Sequence, residues 1–260
     1  MDQINALGYR DNLLNLIPRK DFHALSPLLE HVVLEERHIL ERPQQKIEFV
    51  YFIETGVASI VALSPDGKEI EIGLVGYEGM SGGSLILGDT VSPFECYTQM
   101  KGSAYRLPAD AFMRVLEQSA PLTRFMNQYA RMLWIQTGYT ALSNGKAKLE
   151  ARLARWLLMV HDRMPGDNYE ITHEFLALML GVRRPGVTTA LHALEGAGAI
   201  RSRRKMINIR NRELLKHMAG GVYGLAEKEY ERLLGLPIMR MNWTPMPDVE
   251  FEAYDAKVAS

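Results

Sequence analysis

Arg183, Arg184, Thr188 and Thr189, followed by Arg201, Arg203, Arg204 and Lys205, are the residues whose types and spacing carry the clearest chemistry in this 260-residue chain. Guanidinium and ammonium groups pair with phosphate oxygens. An arginine can also pair bidentately with guanine O6 and N7, and a threonine offers a hydroxyl and a methyl to a base edge. Residues of this kind, presented on one surface, grip and read a nucleic acid. Other chemistries find less support. The sequence shows no nucleophile–base pairing, no phosphate loop and no histidine cluster with metal-ligand spacing, so no catalytic or metal residues are assigned and an enzyme is not expected. His161, His173, His192 and His217 are scattered through a basic helical segment, and nothing selects His23, His31 or His38 as haem ligands. The single cysteine, Cys96, excludes an internal disulfide framework, an iron–sulfur cluster and a multi-thiolate zinc site. It reads as a small buried apolar residue.

The elements around the basic residues explain how they would be positioned. Thr172 is an N-cap candidate, and Phe175, Leu176, Met179 and Leu180 follow at helical spacing. Gly181 supplies the permissive backbone for a sharp turn, and Val182 can plug the angle between two helices. A second helix starts near Arg184, with Pro185 tolerated in its first turn. There Val187, Leu191 and Leu194 face inward, leaving Arg183, Arg184, Thr188 and Thr189 outward. Beyond Gly196 and Gly198, two short alternating runs surround Ser202–Met206 as a basic hairpin. This is a helix-turn-helix leading into a wing. Charge separates it from an ordinary helical hairpin. Residues 145–220 hold 14 Lys and Arg against 7 Asp and Glu, net +7, and the rest of the chain holds 16 against 24, net −8, which together make the overall −1. Positive charge is concentrated where a phosphate-binding surface needs it.

The remainder reads as a different kind of domain. Residues 4–29 are helical in short pieces broken by Pro18 and Pro27. Short apolar or alternating runs follow: Phe49–Ile53, Ala58–Leu63, Ile70–Val75, Glu95–Met100 and Ala104–Leu107. The turn Pro65-Asp-Gly-Lys68 joins two of them, and Gly56, Gly76 and Gly79 mark others. Such spacing predicts a sandwich or barrel. From Pro108 the period becomes helical, and Leu122, Phe125, Met126, Tyr129, Met132, Leu133 and Gln136 trace a stripe read as a homodimer seam, with a hinge at Ser143-Asn144-Gly145. A further amphipathic helix from Lys148 buries Leu149, Leu153, Trp156, Leu157 and Val160.

Strand-rich domain, long helix, the run Lys148-Leu-Glu-Ala-Arg-Leu-Ala-Arg-Trp-Leu-Leu158 and Leu180-Gly-Val182 before the recognition helix together resemble the Crp-Fnr superfamily of bacterial transcription regulators, over about residues 10–220. The resemblance implies a cyclic-nucleotide-binding-like β-roll, a dimerisation helix, and a winged helix that binds a palindromic operator. Arg184 matches the position of a DNA-contacting arginine. The next position, a base-reading glutamate in the family, is Pro185 here, and a base-reading arginine one turn later is replaced by Thr189. The family's cyclic-nucleotide cassette uses an arginine on the phosphate, whereas Gly82–Cys96 contains no Lys or Arg. Cyclic AMP is therefore not expected to bind, and the effector is left unknown. Gly82, Gly83, Ser84 and Leu85 stay as a candidate pocket for another ligand.

The expected fold is α+β, divided as a β-roll sensor (1–107), dimerisation helix and hinge (108–144), winged helix-turn-helix (145–220) and C-terminal extension (221–260). The expected function is that of a homodimeric, sequence-specific transcription regulator with a degenerate effector domain. The rival is a small-molecule-binding enzyme or scaffold with an accessory DNA module. Double-stranded DNA, a second copy and, for an activator, RNA polymerase are the expected partners. With no secretory leader and no membrane-length apolar run, no membrane is expected and the cytoplasm is the expected location.

Overall fold

The computed structural model describes residues 8–238. Two short helices, α1 (Asn12–Leu16) and α2 (Arg19–Leu25), precede the strands, and Asp11 caps α1 by accepting from the Leu14 N–H at 2.8 Å. The strands are β1 (Glu30–Leu34), β2 (Ile39–Glu41), β3 (Gln45–Lys46), β4 (Phe49–Leu63), β5 (Glu69–Val75), β6 (Val91–Ser92) and β7 (Glu95–Pro108). β1, β7, β4 and β5 lie side by side, all antiparallel, β2 pairs with the far end of β7, and β3 and β6 form a separate ribbon. A short helix α3 (Gly83–Ile86) lies between β5 and β6.

The runs Phe49–Ile53 and Ala58–Leu63 are one strand here, as are Glu95–Met100 and Ala104–Leu107. Gly56 bends β4 and does not end it. The ladder to β7 continues through register shifts between Ile53 and Ala58, so pairing survives the bend. Gly56 has φ +85°, and a Cβ there would sit 2.5 Å from the Met100 carbonyl oxygen. Gly102, on the facing strand, would likewise drive a Cβ into the Thr55 carbonyl. Only glycine lets the two backbones cross this closely, and the crossing curls the sheet into a roll.

Three helices follow: α4 (Ala109–Gln118), α5 (Ala120–Lys146) and α6 (Leu149–Arg163). α5 is capped by Ser119, which accepts from the Leu122 N–H at 3.2 Å. The helix runs through the hinge expected at Ser143–Gly145 and breaks at Ala147–Lys148 instead. The backbone bond from Ala147 N–H to Ser143 O closes its last turn, and Asn144 accepts from Arg152 at 3.1 Å, tying that turn to the next helix. A second correction concerns the seam. Leu122, Met126, Tyr129, Met132 and Gln136 are buried against their own chain. Tyr129 Oη donates to Met80 O at 2.6 Å and accepts from Met80 N–H at 2.8 Å, and Gln136 makes the same kind of pair with Leu74. Only Phe125 and Leu133 of the expected stripe remain partly exposed.

The last elements are β8 (Asn168–Glu170), α7 (His173–Met179), α8 (Arg184–Gly196), β9 (Ile200–Arg203), β10 (Met206–Ile209), α9 (Arg212–Met218) and α10 (Leu225–Leu234). α10 turns back along α5. Its Ala226, Tyr230 and Leu234 are spaced four apart on one face and buried. Tyr230 Oη donates to Glu78 O at 2.8 Å, so the extension is anchored in the roll. Pro237 follows α10 and is half-buried, whereas Pro245, Pro247 and Trp243 of the C-terminal tail lie outside the described residues.

Candidate nucleic-acid interface

Thr172 caps α7, accepting from the Phe175 N–H at 3.1 Å, and Leu176 and Met179 bury its inner face. Gly181 (φ +60°) makes the turn, where the Val182 N–H reaches Ala177 O at 2.9 Å. In α8, Val187, Ala190, Leu191 and Leu194 are buried, which fixes the helix's rotation. Arg183, Arg184 and Thr189 are exposed and Thr188 is half-buried. Thr188 Oγ1 donates to Arg184 O at 3.3 Å, and Thr189 Oγ1 donates to Pro185 O at 3.1 Å. Thr188 Oγ1 also lies 3.1 Å from His173 Nδ1, so only the Thr189 hydroxyl proton is held by the helix alone, leaving oxygen lone pairs and a methyl group as what Thr189 offers outward. Lone pairs suit the amino groups of adenine or cytosine, and methyls suit thymine. Arg184 is paired with Glu174 at 3.0 Å, both side chains 63% exposed. Solvent screens this pair strongly, and an incoming phosphate or guanine displaces it at small cost.

β9 and β10 form the wing, with Arg203 opposite Met206 and Arg201 opposite Asn208. Arg204 and Lys205 make its two-residue turn, Lys205 at φ +59°. Arg201, Arg203, Arg204 and Lys205 are all exposed, while Ile200, Ile207 and Ile209 face the core. β8, whose sequence carried little strand signal over three residues, adds a third strand to the sheet. It brings Asn168 alongside Asn208, and Arg210 follows β10. These three were missed in the sequence because side-chain alternation identifies a face only once the register is known.

The glycine segment at the other end of the molecule is close-packed. A Cβ on Gly82 (φ +84°) would lie 2.8 Å from Val50, one on Gly83 would lie 3.2 Å from Leu133, and Leu85 is buried. Ser84 is half-buried. The Gly82 N–H donates to Glu41 Oε1 at 2.6 Å, so a carboxylate from β2 occupies the backbone donor at the start of α3. Burial raises the pKa of that carboxyl. Gly82–Leu85 thus pack against Val50, Leu133 and Glu41, and no cationic side chain of the segment itself faces them.

Between the two ends lies a layer of buried polar groups absent from the sequence reading. Arg163 of α6 pairs with Glu78 at 2.7 Å, both side chains 1% exposed, and also donates to Met159 O at 2.8 Å. Burial works against the Arg163 charge, and Glu78 and Asp162 outweigh it, holding its pKa up. Asp162 binds Arg212 of α9 and accepts from Tyr223 Oη at 2.8 Å. Burial nonetheless raises Asp162 to about 6. Glu71 of β5 accepts from Trp156 Nε1 at 2.9 Å and from Ser59 Oγ at 2.7 Å, and burial pushes it up to about 7. Among the described residues no group of three or more metal-capable side chains occurs, and no helix is long and apolar enough to cross a membrane.

A roll with a short helix between its strands, joined through a long helix to a winged helix-turn-helix, defines a two-domain transcription regulator. Known proteins give the family. A cyclic nucleotide-binding domain model matches residues 31–119 and a Crp-like helix-turn-helix domain model matches 151–218. With that pair of domains, the chain belongs to the Crp-Fnr superfamily. Its fold is shared by a protein of the crp/fnr family from Eubacterium rectale (TM-score 0.64, 19% identity, covering 80% of this chain and 97% of that one). FixK2 from Bradyrhizobium japonicum is similar at TM-score 0.62 and 15% identity, covering 74% and 98%. The c-di-GMP-responsive global regulator CLP of Xanthomonas campestris is similar at 0.57 and 15%, covering 74% and 99%. No curated protein matches the sequence.

Proposed function

We propose that the chain acts as a homodimer that binds a palindromic duplex operator, reading base edges with Arg183, Arg184, Thr188 and Thr189 of α8 and holding phosphates with Arg201, Arg203, Arg204 and Lys205 of the wing. The observation that carries this reading is the rotation of α8. Burial of Val187, Leu191 and Leu194 turns the cationic and hydroxyl side chains outward. In this scheme residues 1–107 sense, 108–144 dimerise, 145–220 bind DNA and 221–260 extend the chain. The protein has no catalytic role, works in the cytoplasm and engages RNA polymerase where it activates.

The dimer seam is assigned to the face of α5 that its own chain leaves bare. Asn127, Arg131, Trp134, Gly138, Ala141 and Gly145 are exposed and alternate in steps of four and three, a coiled-coil spacing, with Trp134 76% exposed. The small residues Gly138, Ala141 and Gly145 allow close helix approach at the C-terminal half. The sensor domain does not take cyclic AMP. Supporting this, Glu41 already sits on the Gly82 N–H, and a cyclic phosphate beside it would face a carboxylate without a counter-charge.

A mobility-shift titration over genomic fragments at several salt concentrations, with and without cyclic AMP and cyclic GMP, tests the scheme. Binding is expected to weaken steeply with salt and to ignore both nucleotides. No binding at any salt, or low-micromolar nucleotide tightening it, would overturn the corresponding part.

A further inference from the structure

We propose that Tyr223–Leu234 is an internal strap that fastens the winged helix to the roll with the outward face of α8 open, so that operator binding without any added ligand depends on it. This task for the C-terminal extension rests on the DNA-binding reading above, in which the extension has none. The strap has two ends, one on each half of the molecule. At its start, Tyr223 Oη donates to Asp162 of α6 and accepts from Arg212 of α9, both at 2.8 Å, and the Arg212 guanidinium lies 5.8 Å from the centre of the Tyr223 ring. At its far end, Tyr230 Oη donates to Glu78 O at 2.8 Å and accepts from Asn12 Nδ2 of α1 at 3.4 Å. Tyr230 and Leu234 share a core with Leu13, Phe52 and Met126, on the roll's side of the joint.

The segment between the two ends has little slack. Tyr223 and Tyr230 are seven residues apart, roughly 10 Å at helical rise, and Glu227 closes the first turn of α10 by accepting from the Gly224 N–H at 2.8 Å. The charge of Glu227 also reaches α6: burial lowers the pKa of Arg155, and Glu227, ahead of Glu71, opposes that. The strap can nonetheless let go. Gly220, Gly221 and Gly224 all have positive φ, and a Cβ on Gly221 or Gly224 would meet no atom within 4 Å. The reversal between α9 and α10 is therefore made by backbone conformation, and what keeps α10 in place is its own contacts. A helix of ten residues has little stability alone, so α10 is folded while docked and unfolds on release.

The direction of the effect follows from what the docked strap leaves uncovered. Arg183, Arg184 and Thr189 stay exposed, so the strap does not mask the reading face. Its contacts fall on the two sides of the joint where Arg163 pairs with Glu78, and they fix where that face points. Contacts made in only one arrangement of a joint shift the population toward that arrangement, as a ligand bound there does. The two ends act in series. Cutting either frees the winged helix, and cutting both frees it no further.

The test compares full-length wild type with Tyr223→Phe, Tyr230→Phe and the double variant, each change removing a hydroxyl and keeping the ring. Operator affinity is expected to fall roughly tenfold in each single variant, within the usual range for coupled sites, while affinity for random duplex is unchanged. The double variant should bind no more weakly than the weaker single one, whereas independent contributions would multiply. Circular dichroism spectra matching wild type check that the fold is kept. Spin labels at Lys101→Cys and His217→Cys, both exposed positions, report the joint without DNA when labelled chains are diluted into unlabelled protein, and Cys96 is buried away from the label. One narrow distance in wild type should broaden in all three variants. Lys228→Gln on the exposed side of α10 should change neither readout, and a loss there equal to that of Tyr230→Phe would overturn the strap by making α10 a contact surface. Wild-type operator affinity in the variants, multiplied losses in the double, or tighter binding on release would each overturn the inference and leave the DNA-binding reading standing. If wild type binds no duplex, that reading falls and the distances alone decide: broadening keeps the strap, and its absence overturns it.

Discussion

Arginines in the C-terminal half fall into two populations that the sequence does not distinguish. Arg183, Arg184, Arg201 and Arg203 stand in solvent, whereas Arg155 and Arg163 are buried and Arg212 is closed over by Asp162 and Tyr223. The first group follows local alternation and helical phase. In the second, Arg163 and Arg212 are held by acids remote in sequence, Glu78 lying 85 residues before its partner Arg163, and Arg155 donates to Thr140 at 3.2 Å. A net charge of +7 therefore counts two populations together, cations open to solvent and cations that attach the helix-turn-helix half to the roll.

Breaking the internal set has the largest expected effect. Arg163→Ala leaves the Glu78 carboxylate buried without a counter-charge and is expected to lower stability by roughly 3–5 kcal/mol, with Arg163→Met/Glu78→Gln restoring most of it. Urea unfolding of the three proteins checks this, and a single variant as stable as wild type would refute the buried pair. Glu71 gives a pH-dependent version. Because its pKa rises from 4.5 unfolded to about 7 folded, the native state holds a proton that the unfolded chain releases in between. Stability from Glu71 is thus complete below about pH 4.5 and is lost as pH rises through about 7. Glu71→Gln should melt like wild type near pH 4 and progressively higher than wild type toward pH 8, by up to about 3 kcal/mol. A constant difference across that range would disprove the shift.

The exposed set responds in binding and leaves stability alone. Arg184→Ala should cost about 1–3 kcal/mol and relax preference at one position in each half-site, whereas Arg203→Ala should weaken all sequences alike. Identical losses on specific and random duplexes for both would remove Arg184 from base reading. Glu174→Ala should tighten DNA binding by only a few tenths of a kcal/mol, since the ion pair it removes is solvent-screened. A larger gain would mean that Glu174 restrains α8 directly.

Local signals made the helix-turn-helix legible: the Thr172 cap, the turn at Gly181, Pro185 in the first turn of α8, and inward Val187, Leu191 and Leu194 all depend on neighbours within a few residues. The strand-rich character of the roll was equally plain, though Gly56 looked like a turn because a bulge and a turn share the same residue preference. The stripe on α5 was recognisable as buried, but periodicity does not say against what, and the roll and α10 cover it. The Ala226, Tyr230 and Leu234 spacing of α10 was available as a signal. The Arg163–Glu78 pair was not, because no sequence period links residues so far apart. The glycines of Gly82–Leu85 pointed equally to a pocket and to tight packing, and neighbours from two other elements, Val50 and Leu133, decide between them.

Glu78 is held from two sides at once, its carboxylate by Arg163 of α6 and its carbonyl by Tyr230 of α10. A rotation of the winged helix against the roll has to release the Arg163 pair, while Tyr230 keeps Glu78 fixed on the roll's side of the joint. In the proposed dimer that joint would set a ruler, fixing the gap between the two copies of α8 that has to match one helical turn of DNA, about 34–36 Å. A protein with Glu78 or Tyr230 replaced would lose its measure of length before it lost its reading of bases, accepting operators whose half-sites stand one base pair too near or too far.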